Sequence, residues 1–412
     1  MFNINKLNIF LYFLLSTSIM LGLYFGEDSA GSGGFIIDFN YTWPLVVDPY
    51  NFSTKLEIKF PLHYYIAHII YLFSDSKDIL RMVYCCIAIT TPYLFFICLK
   101  SKFKEIDHNN LFFFSLIIFL LPSFRSAAIW PNTQITALIF FLISIIFFLK
   151  WENKKDYTKL NINLILTVFF LSLTVYTRQL YAMIFFYIVI IYFKRLSIKN
   201  FISVCSIILL MALPGIIFVI KWPKILAATF DNSFYNSLLV NPSIISLYLI
   251  PFYFFLLVGK KIKIQSLINN KKDFMVILIF LIIVGSLSIL FNYNYNVGGG
   301  FFIKLSLIFF NNLYLFYFTS LVGLYLLYII SKENIYNALL VFILLISFSA
   351  FIIFQKYFEP MFIILMFTLL KIDLTKVFLQ NKKLILYYHL FFLLYLSSAI
   401  YNNIFLISKN LA

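Results

Sequence analysis

Arginine is scarce in this chain and its placement is informative. Among 412 residues there are 28 Lys but only four Arg, at Arg81, Arg125, Arg178 and Arg195. A planar guanidinium offers parallel N–H donors to a phosphate, a geometry that the point charge of a lysine does not reproduce. Arg195 sits among lysines and needs no further account. Arg125, in SFRSAAIWPNTQ, and Arg178, in YTRQ beside Gln179, each lie between apolar runs among hydrogen-bonding residues. Each of these two either holds an anionic group or snorkels to lipid headgroups. The carboxylates gather elsewhere: residues 26–63 contain Glu27, Asp28, Asp38, Asp48 and Glu57, five of the sixteen acidic residues. A carboxylate base opposite basic phosphate clamps fits attack by a hydroxyl on an activated sugar whose leaving group is a phosphate.

Within that acidic stretch the contexts differ. Asp38 lies in GGFIIDFNYTWP, between a Gly-rich turn and an aromatic, Pro-terminated segment, the setting of an ordered loop over a site. Glu57 stands two residues before Lys59, as a second acid beside a substrate-binding lysine or as a surface ion pair. Glu27 and Asp28 directly follow the first apolar run and read as its solvated end, and Asp48-Pro49 reads as a turn initiator. His63 and His68, five apart, do not share a helical face; His63 is kept as a substrate contact against the plainer reading of a packed histidine. Lys356 and Glu359 either touch substrate or form a solvated pair three residues apart. Cys85, Cys86, Cys98 and Cys205 all fall in apolar runs without metal-ligand spacing, so no zinc site and no disulfide framework is expected. No nucleotide, nicotinamide, haem or metal motif is present, so no cofactor is expected, with a divalent cation left open.

The elements that must position these residues are membrane helices. With 63% hydrophobic and 12% charged residues and a mean hydropathy of +0.96, the chain cannot cover its apolar surface as a soluble domain does. Apolar runs recur from end to end, which predicts an all-α polytopic membrane protein of about 11–13 transmembrane helices. The net charge of +16 comes mostly from lysine clusters between apolar runs, which set topology and meet anionic lipid rather than nucleic acid. Lys6 ahead of the first run puts the N-terminus in the cytoplasm and residues 26–63 outside. Residues 61–99 are ambiguous, because two crossings there would leave Lys100, Lys102 and Lys104 outside; one net crossing with an interfacial or re-entrant piece is expected. The division is a single transmembrane domain over 1–412, with 26–60 as the first external loop, 61–240 as the main module and 241–412 as C-terminal helices.

The order of these motifs resembles the GT-C superfamily of integral-membrane glycosyltransferases. Asp38 is similar in place to the acid of their first external loop, and Lys59-Phe60-Pro61-Leu62-His63-Tyr64-Tyr65 to the start of their next helix. Glu57-x-Lys59 resembles a Glu-Lys-Pro element of lipid A aminoarabinose transferases. YTRQLYAMIF and KYFEPMFI are similar to elements of the dolichyl-phosphate-glucose α-1,2-glucosyltransferases. Asp38 is followed by Phe rather than a second acid, and the last element lacks its Arg. The resemblance implies a GT-C-like fold with short interfacial helices in a large first periplasmic loop. It also implies a polyprenyl-phosphate-linked sugar donor, a lipid or glycan acceptor, inverting transfer with Asp38 as base, and a site at the periplasmic face of a bacterial inner membrane. A glycan polymerase or a non-catalytic flippase for a lipid-linked glycan are the alternatives; no internal repeat of the kind transporters carry is evident.

Overall fold

A computed structural model describes residues 4–29, 34–50, 60–154, 160–221, 234–268, 270–293, 298–346 and 353–402. Among them every regular element is helical. Eight helices are long and apolar enough to cross a membrane, or nine if one sharply bent pair counts as a single span. The chain is therefore a multi-pass membrane protein. The eight or nine fall below the 11–13 expected because several apolar helices, such as Ile162–Thr177, Phe301–Phe310 and Ile335–Ile346, are shorter than the ~20 residues a full crossing needs. The helices group into two compact units, Met1–Leu226 with Phe392–Ala412, and Ala227–Phe391.

The first unit begins with α1 (Lys6–Phe25). Asn5 caps its start by accepting from the Asn8 N–H. Its end is closed by Gly26 in the left-handed region, with the Glu27 N–H returning to the Gly22 carbonyl. Two short helices follow, α2 (Gly34–Val47) and α3 (Leu62–Ser74), which pack on each other. At 1.5 Å per residue, 13 or 14 residues reach about 20 Å, well short of the hydrocarbon core. α4 (Lys77–Ile89) and α5 (Thr91–Lys102) join through Thr90 into one apolar stretch of 26 residues. That length suits one crossing of residues 77–102, with α3 too short to make a second.

α6 (His108–Ser115) runs on through a 3-10 turn to Leu120 and then bends by 70° into α7 (Pro122–Ile129). Pro122 has no N–H to continue the ladder, which favours the break. All eight residues of α7 are buried, and a broken helix at membrane depth is tolerated when protein surrounds it in this way. α8 (Thr133–Lys154), α9 (Ile162–Thr177), α10 (Ala182–Arg195) and α11 (Ile198–Lys221) complete the unit. α8 packs against α5 and α9, and the buried Trp151 ring meets Tyr192 edge-on at 4.7 Å. Hydrogen bonds define the two ends. Asn5 and Asn8 bind Asn109, Asn153 binds Ser101, and Arg195 pairs with Glu152 at one end; Leu23, Arg81, Ile129 and Trp130 meet at the other.

The second unit contains α12 (Phe234–Val258), α13 (Ile264–Leu267), α14 (Lys271–Leu290), α15 (Phe301–Phe310), α16 (Tyr314–Glu333), α17 (Ile335–Ile346), α18 (Met361–Thr368), α19 (Asp373–Gln380) and most of α20 (Lys382–Tyr401). α12 and α16 approach so closely that a Cβ on Gly323 would meet the Pro242 carbonyl oxygen at 2.2 Å. Ser320 donates to the Leu239 carbonyl and Ser243 bonds Thr319 across the same seam. Small and hydroxyl side chains at a helix contact are the means by which membrane helices pack tightly without a hydrophobic driving force. Asn337 of α17 is fully used, bridging the Ile330 carbonyl and both backbone groups of Lys371.

Candidate functional site

At the Gly26 end of the first unit the polar residues are held by reciprocal caps. Arg125, buried on α7, grips Glu27 with two parallel bonds, Nε to Oε1 at 2.8 Å and Nη2 to Oε2 at 2.6 Å. Its remaining donors reach Ser18 on α1, Nη1 to the hydroxyl and Nη2 to the carbonyl. Gly22 leaves the room for this, since a Cβ there would stand 2.5 Å from Glu27 Oε2. Arg81 donates to the Ile129 and Leu23 carbonyls at the ends of α7 and α1, and its guanidinium lies 3.8 Å from the Trp130 ring centroid. Trp130 in turn donates to the Glu27 carbonyl. Asp28 Oδ2 accepts from the Phe35 and Ile36 N–H groups, capping α2. The expectation that Glu27 and Asp28 form a solvated helix end is corrected: a buried arginine needs a counter-charge and the start of α2 needs an acceptor, and these two acids supply both.

Asp38 sits on α2, half-buried, one residue before Phe39, whose ring packs on Trp130. Burial first, and then the Asp38 carboxylate, push the phenol of Tyr64 on α3 above its ordinary value. His63 precedes Tyr64 and is buried. Its Nδ1 lies 2.8 Å from the Thr136 hydroxyl and 3.3 Å from the Tyr84 hydroxyl, a polar cluster shared by α3, α4 and α8. His68 bonds the Val46 carbonyl and ties α3 to the end of α2.

Arg178 and Gln179, both half-buried, form the turn that ends α9, and Arg178 takes an extended backbone. α3 packs against α9, and Phe60 at the foot of α3 stacks edge-on against Tyr176 at 5.8 Å and against Phe218 of α11. α3 thus links α2, which carries Asp38, to the end of α9 that carries Arg178. Beside the Arg178 turn, α9, α10 and α11 line a cavity of about 470 Å³. Phe60, Val175, Tyr176, Phe185, Met211 and Ile216 are among its walls, and Ser172 and the Tyr176 phenol are its polar side chains. Tyr176 and Ala182, on either side of the Arg178 turn, both line it.

Glu57 and Lys59 lie outside the described residues. Lys356 is in the second unit, half-buried on a 3-10 turn (Gln355–Tyr357), its ammonium 4.8 Å from the Phe354 ring centroid. A solvated Lys356–Glu359 couple is corrected, because Glu359 is buried and accepts from the Tyr248 hydroxyl at 3.2 Å. Gln355 donates to the same hydroxyl, and its side-chain oxygen accepts from the Phe301 N–H at the start of α15. Among the described residues no group of three or more His, Cys, Asp or Glu could hold a metal ion.

Sequence reading passed over Ser18 and Gly22 and gave Phe60 and Tyr176 no role of their own within their motifs; all four owe their place to contacts across the fold. One signal was available for Glu27: an arginine inside an apolar chain requires a carboxylate partner, and Glu27 is among the few acids near an apolar run. No protein-family model matches the chain, and neither the curated proteins nor the solved structures contain a match.

Proposed function

We propose that this chain is a GT-C-type glycosyltransferase of a bacterial plasma membrane, with the Gly26 end outside, that moves a sugar from a polyprenyl-phosphate donor to a lipid-linked or surface glycan. The observation that supports it is the Arg178 turn at the end of α9 beside an apolar cavity, with Asp38 on α2, which packs on α3 as α3 packs on α9. Asp38 takes the proton from the acceptor hydroxyl as its oxygen bonds to the anomeric carbon. The bond from that carbon to the phosphate oxygen breaks on the opposite face, which inverts the configuration, and Arg178 with Gln179 stabilises the departing lipid phosphate. The cavity between α9, α10 and α11 takes part of the isoprenoid tail. Arg125 contributes indirectly, by fixing Glu27 and with it the approach to α2.

The test is transfer by the purified protein in lipid nanodiscs given a polyprenyl-phosphate sugar and an extract of cell-envelope glycans. Asp38→Asn is expected to cost about 10²–10⁴-fold in rate, the usual worth of a positioned general base, with unchanged thermal unfolding. Full activity in that variant removes Asp38 from the mechanism, and no transfer with any such donor removes the reading itself.

A further inference from the structure

Two spans of the second unit, α12 and α20, run side by side to a common end. The Phe255 and Tyr387 rings stand 5.8 Å apart, and the Tyr388 hydroxyl donates to the Tyr248 carbonyl. A Cβ on Gly259 would lie 2.8 Å from the Leu384 side chain, so the seam closes at these two residues. The next residues outward are lysines on both sides, Lys260 and Lys261 after α12 and Lys383 and Lys382 at the start of α20. All four are exposed.

Local preference does not account for these lysines. Lys260 has a φ of +51°, the left-handed conformation that closes a helix and favours glycine, while the Lys261 N–H returns to the Leu256 carbonyl. Lys382 and Lys383 occupy the first turn of α20, where the aligned peptide dipoles already carry partial positive charge. The C-terminal end of α12 offers about half a unit of negative charge, too little for four ammonium groups. The acids that follow in the chain are engaged. Asp273 is buried against Lys332 Nζ at 2.7 Å, and Glu333 accepts from the Asp373 N–H. Where several local preferences are overridden at one spot, function is the usual reason.

We propose that Lys260, Lys261, Lys382 and Lys383 form a binding site for the phosphate of an anionic phospholipid in the leaflet that meets this end of the second unit. Set at the ends of two spans, the four ammonium groups stand at headgroup depth, where each basic side chain adds to the attraction for anionic lipid. On the hydrocarbon side of them Phe254, Val258, Leu386 and Tyr387 are exposed. A phospholipid uses both surfaces, its phosphate on the lysines and an acyl chain along α12 and α20, whereas a free phosphate uses only the first. The bound headgroup relieves the repulsion between the two lysine pairs and ties α12 to α20.

Native mass spectrometry of the full chain in detergent, titrated with phosphatidylglycerol or phosphatidylcholine, reads the site. Wild type is expected to bind phosphatidylglycerol about tenfold more tightly than phosphatidylcholine. The combined variant Lys260→Gln, Lys261→Gln, Lys382→Gln and Lys383→Gln is expected to lose that preference while keeping its unfolding temperature. A matched variant, Lys150→Gln, Lys154→Gln, Lys194→Gln and Lys199→Gln, removes four exposed lysines of the first unit and should bind as wild type does. Equal binding of the two lipids to wild type overturns the site, and so does an undiminished preference in the first variant. An equal loss in the matched variant overturns it too, by reducing the effect to overall charge. Displacement of phosphatidylglycerol by inorganic phosphate at a comparable concentration would assign the lysines to a soluble anion and overturn the lipid. None of these readouts involves sugar transfer, so the result is independent of the transferase reading.

Discussion

Glu27 and Arg125 show how little freedom a buried charge has. Their two parallel bonds, with Ser18 accepting two more from the guanidinium, leave either side chain without its counter-charge when the other is removed. Breaking a buried pair by deleting one member costs about 3–5 kcal/mol, because the survivor stays charged in a low dielectric. Glu27→Gln and Arg125→Gln are each expected to lower the unfolding temperature in detergent sharply. The double variant should lose less than the sum, and strict additivity would show that the pair is not coupled. Gly22→Val places a branched side chain where Glu27 Oε2 now sits and is expected to reproduce the Glu27 phenotype in the same melting assay.

At the scale of elements, close approach decides more than propensity does. The α12–α16 seam admits no side chain at position 323, since the obstacle is the backbone carbonyl of Pro242 and not a flexible group. Gly323→Leu is expected to separate the helices and cost several kcal/mol, seen as loss of monodisperse protein on size-exclusion chromatography; normal behaviour there would mean that the seam is looser than described. Gly300 makes the parallel case ahead of α15. Its φ of +81° favours glycine, and a Cβ would stand 2.6 Å from the Ile244 side chain and 3.0 Å from Gln355 Oε1. Gly300→Ala should therefore destabilise the protein by about 1–3 kcal/mol, measured by the same melting assay.

Over the whole molecule, the arrangement of crossings is the property most open to direct measurement. If residues 77–102 cross once and α3 does not cross, a cysteine placed at Asp75 and one placed at Lys104 face opposite compartments. In a chain whose four natural cysteines are replaced, a membrane-impermeant maleimide applied to intact cells should label Asp75→Cys and spare Lys104→Cys. Labelling of both from outside would require a second crossing before residue 100 and would reverse the sidedness of everything that follows.

The membrane character, the all-helical class and the two-ended alternation of polar stretches were legible in the composition and spacing alone, because hydrocarbon admits no unsatisfied backbone and lysine clusters cannot hide in it. The small group of arginines was legible too, as residues that lysine would not replace. What Arg125 faces was decided by the fold: Ser18, Gly22 and Glu27 meet it across about a hundred residues, and a pairing of that range leaves no local pattern. The same holds for Tyr176, which reads as one more aromatic in an aromatic-rich chain until its hydroxyl is seen against the Met211 carbonyl and the Gly215 N–H of α11. Periodicity reports which solvent a segment meets; which side chain fills which gap is settled by packing between segments, where the sequence carries no adjacent record of the partner.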